Sequence, residues 1–400
     1  MNLFLLATFV YRFANGLLFL AVAWNLVRSG NGGAMPLALS AIGGFLPAVV
    51  AAPFARQLLE RVDPRKLTLW GIAGLCASAV AFIPLLHVLF GVLAINFLVL
   101  SIFFLLEGAW DALLAATANR LPSKQGDTLN SRQSAATQAG LMLGGLPVGL
   151  LIRHGGIDAP FLAAAVLYIV TLLLFTHPSL RSNSDETRRD LVKGASQPLT
   201  VLDEPPNAPA WTTVATLALV WPCLTLVNMA VPLTANTQGH GTVEHAALLD
   251  AFIGLGMACI GVLYERLMRL SARWQRYVIV TAAAFMPLPF LALLTISYTL
   301  PVLCAAFFLC GIGFGMLRVS LRKQLIATQP ARRVGQIVAS CNAYGFPILA
   351  MLALLYARSW NFGPWVPLAA FFAMAVVGVS ALLGGATAER VRSRATPEVG

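Results

Sequence analysis

The chain has 400 residues, of which 58% are hydrophobic and only 11% are charged, and its formal net charge is +11 at pH 7. Water-soluble domains carry about 25% charged residues, so this composition argues against a soluble enzyme, a secreted domain and a nucleic-acid-binding protein. The six cysteines lie in apolar stretches without the spacing of a disulfide framework or a zinc site, and we expect no metal and no cofactor. The solvent for most of this chain is expected to be the lipid bilayer.

Twelve apolar windows of membrane-spanning length follow one another along the chain. A helix that crosses a bilayer needs about 20 mostly apolar residues. The windows that satisfy this condition are approximately 3–27, 35–57, 67–89, 92–116, 132–152, 159–177, 211–234, 246–264, 277–297, 300–320, 334–357 and 364–385. The first window lacks a basic leader and a cleavage site, so we expect it to be retained as a helix. We therefore predict an all-α integral membrane protein with twelve transmembrane helices.

Positive charge is concentrated on one side of this topology. If the N-terminus is cytoplasmic, 23 of the 27 Lys and Arg residues fall in inner loops and the tail, three fall in outer loops, and Arg12 lies within a span. Lys and Arg are enriched in cytoplasmic loops, so both termini are predicted to be cytoplasmic. The net charge is an orientation signal on this interpretation, and no nucleic acid is expected as a partner.

A long polar segment, residues 178–210, divides the windows into six and six. The two halves also repeat each other, because FFLLEGAW at 103–110 aligns with FFLCGIGF at 307–314 and Gly140 aligns with Gly345. We expect an N-terminal six-helix bundle over 1–177, a cytoplasmic linker loop, and a C-terminal six-helix bundle over 211–400 with a short tail. Parallel repeats of this kind are related by a pseudo-two-fold axis, with a substrate site between them.

A charged motif follows the second window. Residues 56–66 read RQLLERVDPRK, close to the signature Gly-x-x-x-Asp-Arg-x-x-x-Arg-Arg, although Arg56 stands where the signature has Gly and Glu60 stands where it has Asp. The chain therefore resembles the major facilitator superfamily and, within it, bacterial exporters of siderophores and drugs of the enterobactin-exporter type. The resemblance implies a monomer in the bacterial inner membrane with a cytoplasmic gate that latches the two halves. The residues that match this gate are Glu60, Arg61, Asp63, Arg65, Glu265, Arg266 and Arg269.

The fifth window carries a run of small residues, namely Gly140, Gly144, Gly145, Pro147 and Gly149. They agree in part with the pattern Gly-x-x-x-Gly-Pro-x-x-x-Gly of proton antiporters, so the resemblance implies exchange of protons for substrate. The same glycines also suit close packing of membrane helices, where small residues three apart let two backbones approach.

Ionisable residues inside two windows are the strongest functional candidates. Arg12 in the first window and Glu107 in the fourth lie at matching depth, and such groups cost several kcal/mol in a bilayer unless they are paired or hydrated. We predict that they form an ion pair. Asp111 lies one helical turn from Glu107 on the same face. A carboxylate that exchanges a proton for an arginine or a cationic substrate could couple transport to a proton gradient, whereas a static pair and a hydrated Asp111 are the alternatives.

Further candidates share this layer or border it. Tyr11, Asn15, Trp110 and Asn228 are predicted to line a substrate cavity, although aromatic residues in membrane helices also serve packing. Arg318, near the inner end of the tenth window, either attracts substrate or extends to the interface.

The sequence thus predicts a proton-coupled secondary active transporter that exports a small organic solute by alternating access. The sequence contains no Gly-rich loop ending in Lys-Ser/Thr, so we do not expect ATP to be the energy source. The buried arginine and the basic inner side favour an anionic or zwitterionic substrate, such as a carboxylate siderophore, over a lipophilic cation. An importer or symporter with the same fold is one alternative, and a lipid-modifying membrane enzyme is another, although no catalytic set of residues is found for it.

Overall fold

The computed structural model describes residues 2–28, 33–50, 62–118, 123–177, 211–237, 241–267, 269–295, 299–328 and 331–395. Apart from turns, regular structure within these ranges is helical. The α-helices are α1 (Asn2–Arg28), α2 (Ala34–Val50), α3 (Pro64–Phe82), α4 (Leu89–Ala118), α5 (Ser123–Gly145), α6 (Val148–Gly155), α7 (Ala159–Thr176), α8 (Trp211–Thr237), α9 (Val243–Leu267), α10 (Ala272–Ala284), α11 (Leu288–Thr295), α12 (Leu300–Thr328), α13 (Ala331–Ser359) and α14 (Trp365–Ala395). Short 3₁₀ turns occupy Ile83–Leu85 and Trp360–Phe362.

Membrane-spanning length and apolar composition coincide in eight helices of the described ranges: α1, α3, α4, α7, α8, α9, α12 and α14. The pair α10 and α11 adds a ninth span if the two helices cross together. The predicted all-α membrane fold is therefore confirmed. The count of twelve spans stays a prediction, because α2 is a shorter apolar helix of 17 residues and α5 and α13 contain long polar stretches.

Two of the predicted windows each consist of two helices. Window 132–152 is formed by α5 and α6, which are separated at Leu146 and Pro147. Window 277–297 is formed by α10 and α11, with a bend of 41° between them next to Pro287. A proline lacks the N–H that a helix needs and its ring clashes with the preceding turn. Hydropathy alone could not reveal these breaks, because it does not register backbone hydrogen bonding.

The described residues fall into two compact units. The first contains the residues up to 177 together with 242–247, and the second contains 211–237, 241 and the residues from 248 onward. In the first unit α1 packs against α5 and α7, while α3 packs against α4 and α7. In the second unit α8 packs against α13 and α14, while α10 packs against α12 and α14. The two units thus repeat the same neighbours, and the predicted linker, 178–210, lies outside the described residues.

Two glycines that align in the sequence repeat have the same packing role in their units. A Cβ atom added to Gly140 would lie 2.6 Å from the carbonyl oxygen of Phe9 in α1. A Cβ atom added to Gly345 would lie 2.5 Å from the carbonyl oxygen of Ala218 in α8. Glycine is therefore needed where α5 meets α1 and where α13 meets α8, as expected for tightly packed membrane helices.

Candidate functional site

An ion pair joins α1 to α4 in the first unit. The Nη2 atom of Arg12 lies 2.5 Å from the Oε1 atom of Glu107, so the predicted contact between these residues is confirmed. The two side chains differ in exposure, since 6% of the Arg12 side chain is accessible and 37% of the Glu107 side chain is accessible. The arginine is therefore enclosed, and the carboxylate is the more accessible charge of the pair.

The Arg12 guanidinium also contacts two aromatic rings. Its Cζ atom lies 5.3 Å from the ring centroid of Tyr11 and 5.4 Å from that of Phe103. A cation near the face of an aromatic ring is stabilised by the negative potential of that face, more strongly where water is excluded. Arg12 is thus stabilised by the two rings as well as by Glu107.

The Tyr11 ring is held in place by Trp110 of α4. The two rings stack with centroids 4.6 Å apart and an angle of 15° between their planes. The indole Nε1 of Trp110 donates a hydrogen bond to Thr8 Oγ1 over 3.1 Å, and Thr8 donates to the carbonyl oxygen of Phe4 over 2.9 Å. Stacking and hydrogen bonding therefore connect α4 to α1 along two turns beside the ion pair.

A second link to α1 comes from α7. The hydroxyl of Tyr168 donates a hydrogen bond to Asn15 Oδ1 over 2.7 Å, and both side chains are fully buried. Tyr168 and Thr8 were not among the residues predicted from the sequence. A signal for Tyr168 was available, because it is a tyrosine in an otherwise apolar helix and a buried hydroxyl usually requires a hydrogen-bond partner. The same holds for the hydroxyl of Thr8.

Four buried polar atoms of α1 have no hydrogen-bond partner in the part of the chain that the structure describes. They are Tyr11 Oη, Arg12 Nε, Asn15 Nδ2 and Trp24 Nε1. Most buried polar atoms in proteins are hydrogen-bonded, and exceptions point to bound water or to a functional role. The protein atoms around Arg12 therefore leave hydrogen-bonding capacity for water.

Glycines of α5 form the wall behind Arg12. A Cβ atom on Gly140 would lie 2.8 Å from the Arg12 Cβ atom, and a Cβ atom on Gly144 would overlap the carbonyl oxygen of Phe13. These contacts give Gly140 and Gly144 a packing role, and their proposed part in antiport stays a prediction. The other members of the fifth-window motif lie at the helix break: Gly145 ends α5, Pro147 precedes α6, and Gly149 is buried in α6.

The remaining cavity candidates are not part of this cluster. Asp111 belongs to α4, but its side chain lies outside what the structure describes. Asn228 is exposed on α8 between the buried residues Val227 and Met229, and Arg318 is half-buried on α12. Asn228 and Arg318 both belong to the second unit, so their predicted role at a substrate site stays a prediction.

The predicted gate is described only in part. Glu60 and Arg61 lie outside the described residues, as does the side chain of Glu265, whereas Arg266 and Arg269 are exposed. Asp63 caps α3 by accepting a hydrogen bond from the Arg65 backbone N–H over 2.9 Å. Arg65 Nη2 donates to the carbonyl oxygen of Phe175 over 2.8 Å. Asp63 and Arg65 therefore fix the start of α3 and tie it to α7, while their role in gating stays a prediction.

Within the described ranges no cluster of three or more His, Cys, Asp or Glu side chains could hold a metal ion. All six cysteines are free. The chemistry that the described cluster can supply is ion pairing, hydrogen bonding and proton binding at Glu107.

Comparison with known proteins gives a consistent picture of the fold. The family model described as Major Facilitator Superfamily matches residues 4–353. The multidrug efflux pump Tap of Mycolicibacterium fortuitum is 32% identical over 158 residues, a match that spans 38% of this chain and 38% of that pump. The matched segment is well under half the length of the pump, so the similarity alone does not show that this chain has the activity of the pump.

Solved structures are similar over nearly the whole chain. A POT family transporter in complex with a thioalcohol-conjugated peptide superposes with a TM-score of 0.72 at 12% identity, covering 96% of this chain and 94% of that one. A POT family transporter in complex with 5-aminolevulinic acid has a TM-score of 0.66 at 11% identity, with coverage of 95% and 94%. At these identities the likeness is one of fold.

Proposed function

Because this chain belongs to the major facilitator superfamily, we propose that it is a proton-coupled exporter that moves a small organic solute by alternating access. The family makes it a multi-pass membrane transporter and not an enzyme, which removes the lipid-modifying alternative. The asymmetric distribution of Lys and Arg supports an inner-membrane protein with both termini in the cytoplasm. We also propose that it is a monomer, which is the ordinary state of the family.

The Arg12–Glu107 ion pair is the observation that carries this proposal. A proton on Glu107 neutralises the carboxylate, so its attraction for Arg12 falls and the pair can separate. When the proton leaves, the carboxylate regains its charge and again binds a cationic group. A group that binds either a proton or a positive charge, but not both, provides the mutually exclusive occupancy that exchange of protons for substrate requires.

The surroundings of the pair suit this exchange. Glu107 is accessible enough to receive a proton, whereas Arg12 is kept in place by the rings of Tyr11 and Phe103. A lone charge in the membrane layer is costly, and the rings lower that cost for Arg12 during the moments when Glu107 is neutral. The arginine can therefore remain charged while the carboxylate changes its state.

Export is supported by the partial similarity to an efflux pump, and the same fold could equally serve an importer, because a fold does not set the direction of transport. The solute classes to be compared are a siderophore-like anion or zwitterion and a drug-like molecule.

Everted membrane vesicles with an imposed proton gradient provide the test. We expect that a panel containing a lipophilic cation, a carboxylate siderophore and a dipeptide includes at least one solute that discharges the gradient. Glu107→Gln and Arg12→Ala should abolish this discharge when vesicles with equal amounts of protein are compared. Asp158→Asn should preserve it, because Asp158 lies in the turn before α7 and its side chain makes no capping hydrogen bond. Wild-type discharge with unchanged pH dependence in Glu107→Gln would refute the coupling assignment.

A further inference from the structure

The two charges of the ion pair are not equally available to a ligand. The accessible fraction of the Glu107 side chain is 37%, whereas that of Arg12 is 6%. Arg12 is covered by Glu107 and by the rings of Tyr11 and Phe103, and Gly140 of α5 lies against its Cβ atom. The Oε1 atom that faces Arg12 is buried, but a charged solute that reaches this layer meets the Glu107 side chain before it meets the guanidinium.

Displacement of the pair also has unequal consequences for the two charges. A cation that replaces Arg12 neutralises Glu107, and Arg12 remains next to two aromatic ring faces that stabilise a positive charge. An anion that replaces Glu107 at Arg12 would deprive the Glu107 carboxylate of its counter-ion, and the negative potential of an aromatic ring face does not stabilise an anion. Either exchange places a second like charge in a layer where water is scarce, but the rings of Tyr11 and Phe103 offset this cost for positive charge alone, so the exchange favours a cation.

Apolar surface adjoins the accessible carboxylate. Phe103 and Phe104 precede Glu107 on α4 by four and three residues, which places them on the same side of the helix. Phe104 is half-buried, and its ring lies edge-to-face with those of Phe103 and Phe45, with centroid distances of 5.7 Å in both cases. The carboxylate thus borders an aromatic surface that can hold the apolar body of a solute.

We propose that the transported solute is an organic cation with an apolar body, and that its positive charge takes the place of Arg12 at Glu107. This inference rests on the proposed function and reverses the charge that the sequence favours for the substrate. The sequence shows that an arginine lies inside the membrane, but it does not show that aromatic rings and a carboxylate cover it. Arg12 is then the counter-ion that a substrate or a proton displaces, and Glu107 is the residue that recognises the substrate.

Two ions of equal shape and opposite charge test the proposal directly. Tetraphenylphosphonium and tetraphenylborate should be titrated against the purified full-length protein in detergent at fixed pH, with binding measured by equilibrium dialysis. No proton gradient is involved, so the result is independent of whether transport is coupled to protons. The series consists of the wild-type protein, Glu107→Gln, Arg12→Ala, Arg12→Lys and the control Asp158→Asn, a carboxylate change in the turn before α7.

The sign of the Arg12 effect decides the outcome. We expect the affinity for tetraphenylphosphonium to fall about tenfold or more in Glu107→Gln, as for loss of one partner of a close charge pair. The affinity should rise in Arg12→Ala, because the competing cation is gone, and Asp158→Asn should bind like the wild type. Arg12→Lys, which keeps the charge but loses the planar stacking group, should give an intermediate rise and serves if Arg12→Ala does not fold.

Two results would overturn the proposal. One is tetraphenylborate binding that depends on Arg12 while tetraphenylphosphonium binding is unaffected by Glu107→Gln. The other is binding of both ions that does not change across the series. A protein that shows the expected charge selectivity but no proton-linked transport would retain the substrate class and lose the coupling.

Discussion

Tyr168 of α7 and Asn15 of α1 form a hydrogen bond of 2.7 Å between two fully buried side chains. Asn15 lies three residues after Arg12 and four after Tyr11, so the three side chains share one side of α1. The bond therefore fixes the rotation of the helix that carries the ion-paired arginine. Loss of this hydrogen bond should therefore lower the stability of the protein.

We expect Tyr168→Phe to lower the free energy of unfolding by about 1–3 kcal/mol, because Asn15 Oδ1 would lose its donor while it stays buried. Thermal unfolding of the detergent-purified protein, followed by intrinsic fluorescence, measures the effect. Tyr344→Phe is a matched control, since Tyr344 is 63% exposed on α13 and should tolerate the change. Equal stability of both variants would show that the Tyr168 bond does not hold α1.

Glycines that meet neighbouring backbone should not tolerate a methyl group. Gly140→Ala would bring a Cβ atom to 2.6 Å from the Phe9 carbonyl oxygen, and backbone cannot move aside as a flexible side chain can. We expect a loss of about 1–3 kcal/mol in stability, as for other overpacked sites. Thermal unfolding and the yield of monodisperse protein report this loss.

Gly261→Ala provides the matched control for that glycine. It lies in α9, and a Cβ atom there would meet nothing within 4 Å. Alanine is favoured over glycine in a helix by about 1 kcal/mol, so the variant should be neutral or slightly more stable. If Gly140→Ala were equally harmless, the close approach of α5 to α1 would be wrong.

Much of the helical architecture was predictable from the sequence, because a bilayer imposes a length and a composition on each span. The windows missed the breaks at Pro147 and Pro287, which depend on backbone hydrogen bonds. They also missed the polar first turns of α5, which begins at Ser123. Helix formation does not require apolar residues, so a search for apolar stretches places such boundaries too late.

The candidate site was predictable where charge made a residue conspicuous. Arg12 and Glu107 stand out because ionisable residues are rare in apolar helices, and their matching depth predicted the contact that the structure contains. Tyr168 and Thr8 do not stand out, because their importance comes from partners on other helices. The enclosure of Arg12 by two rings likewise depends on rotation of the helices, which a single sequence without a known structure does not specify.

The start of α3 offers a way to separate a local role of Asp63 from its predicted role in a gate. Its side chain accepts the Arg65 N–H over 2.9 Å as an N-cap. Asparagine caps helices about as well as aspartate, whereas alanine costs about 1 kcal/mol. We therefore expect Asp63→Asn to keep wild-type thermal stability and Asp63→Ala to lose about that amount.

Transport by Asp63→Asn then reports on the gate alone. A stable variant that has lost transport would support a role for the negative charge, whereas normal transport would restrict Asp63 to capping. If Asp63→Ala were as stable as Asp63→Asn, the cap itself would be unimportant.

Replacement of both charges at once separates a coupling pair from a static one. Glu107→Gln alone leaves Arg12 charged and without its carboxylate, and loss of one partner of an enclosed pair is more destabilising than loss of both. The double variant Arg12→Gln with Glu107→Gln should therefore unfold at a higher temperature than Glu107→Gln.

If the pair only holds α1 to α4, the double variant should recover transport together with stability. We expect the double variant to recover stability but not proton-linked transport in the vesicle assay, because neither amide can exchange a proton for a cation. Recovery of transport in the double variant would assign the pair to packing and remove Glu107 from the coupling step.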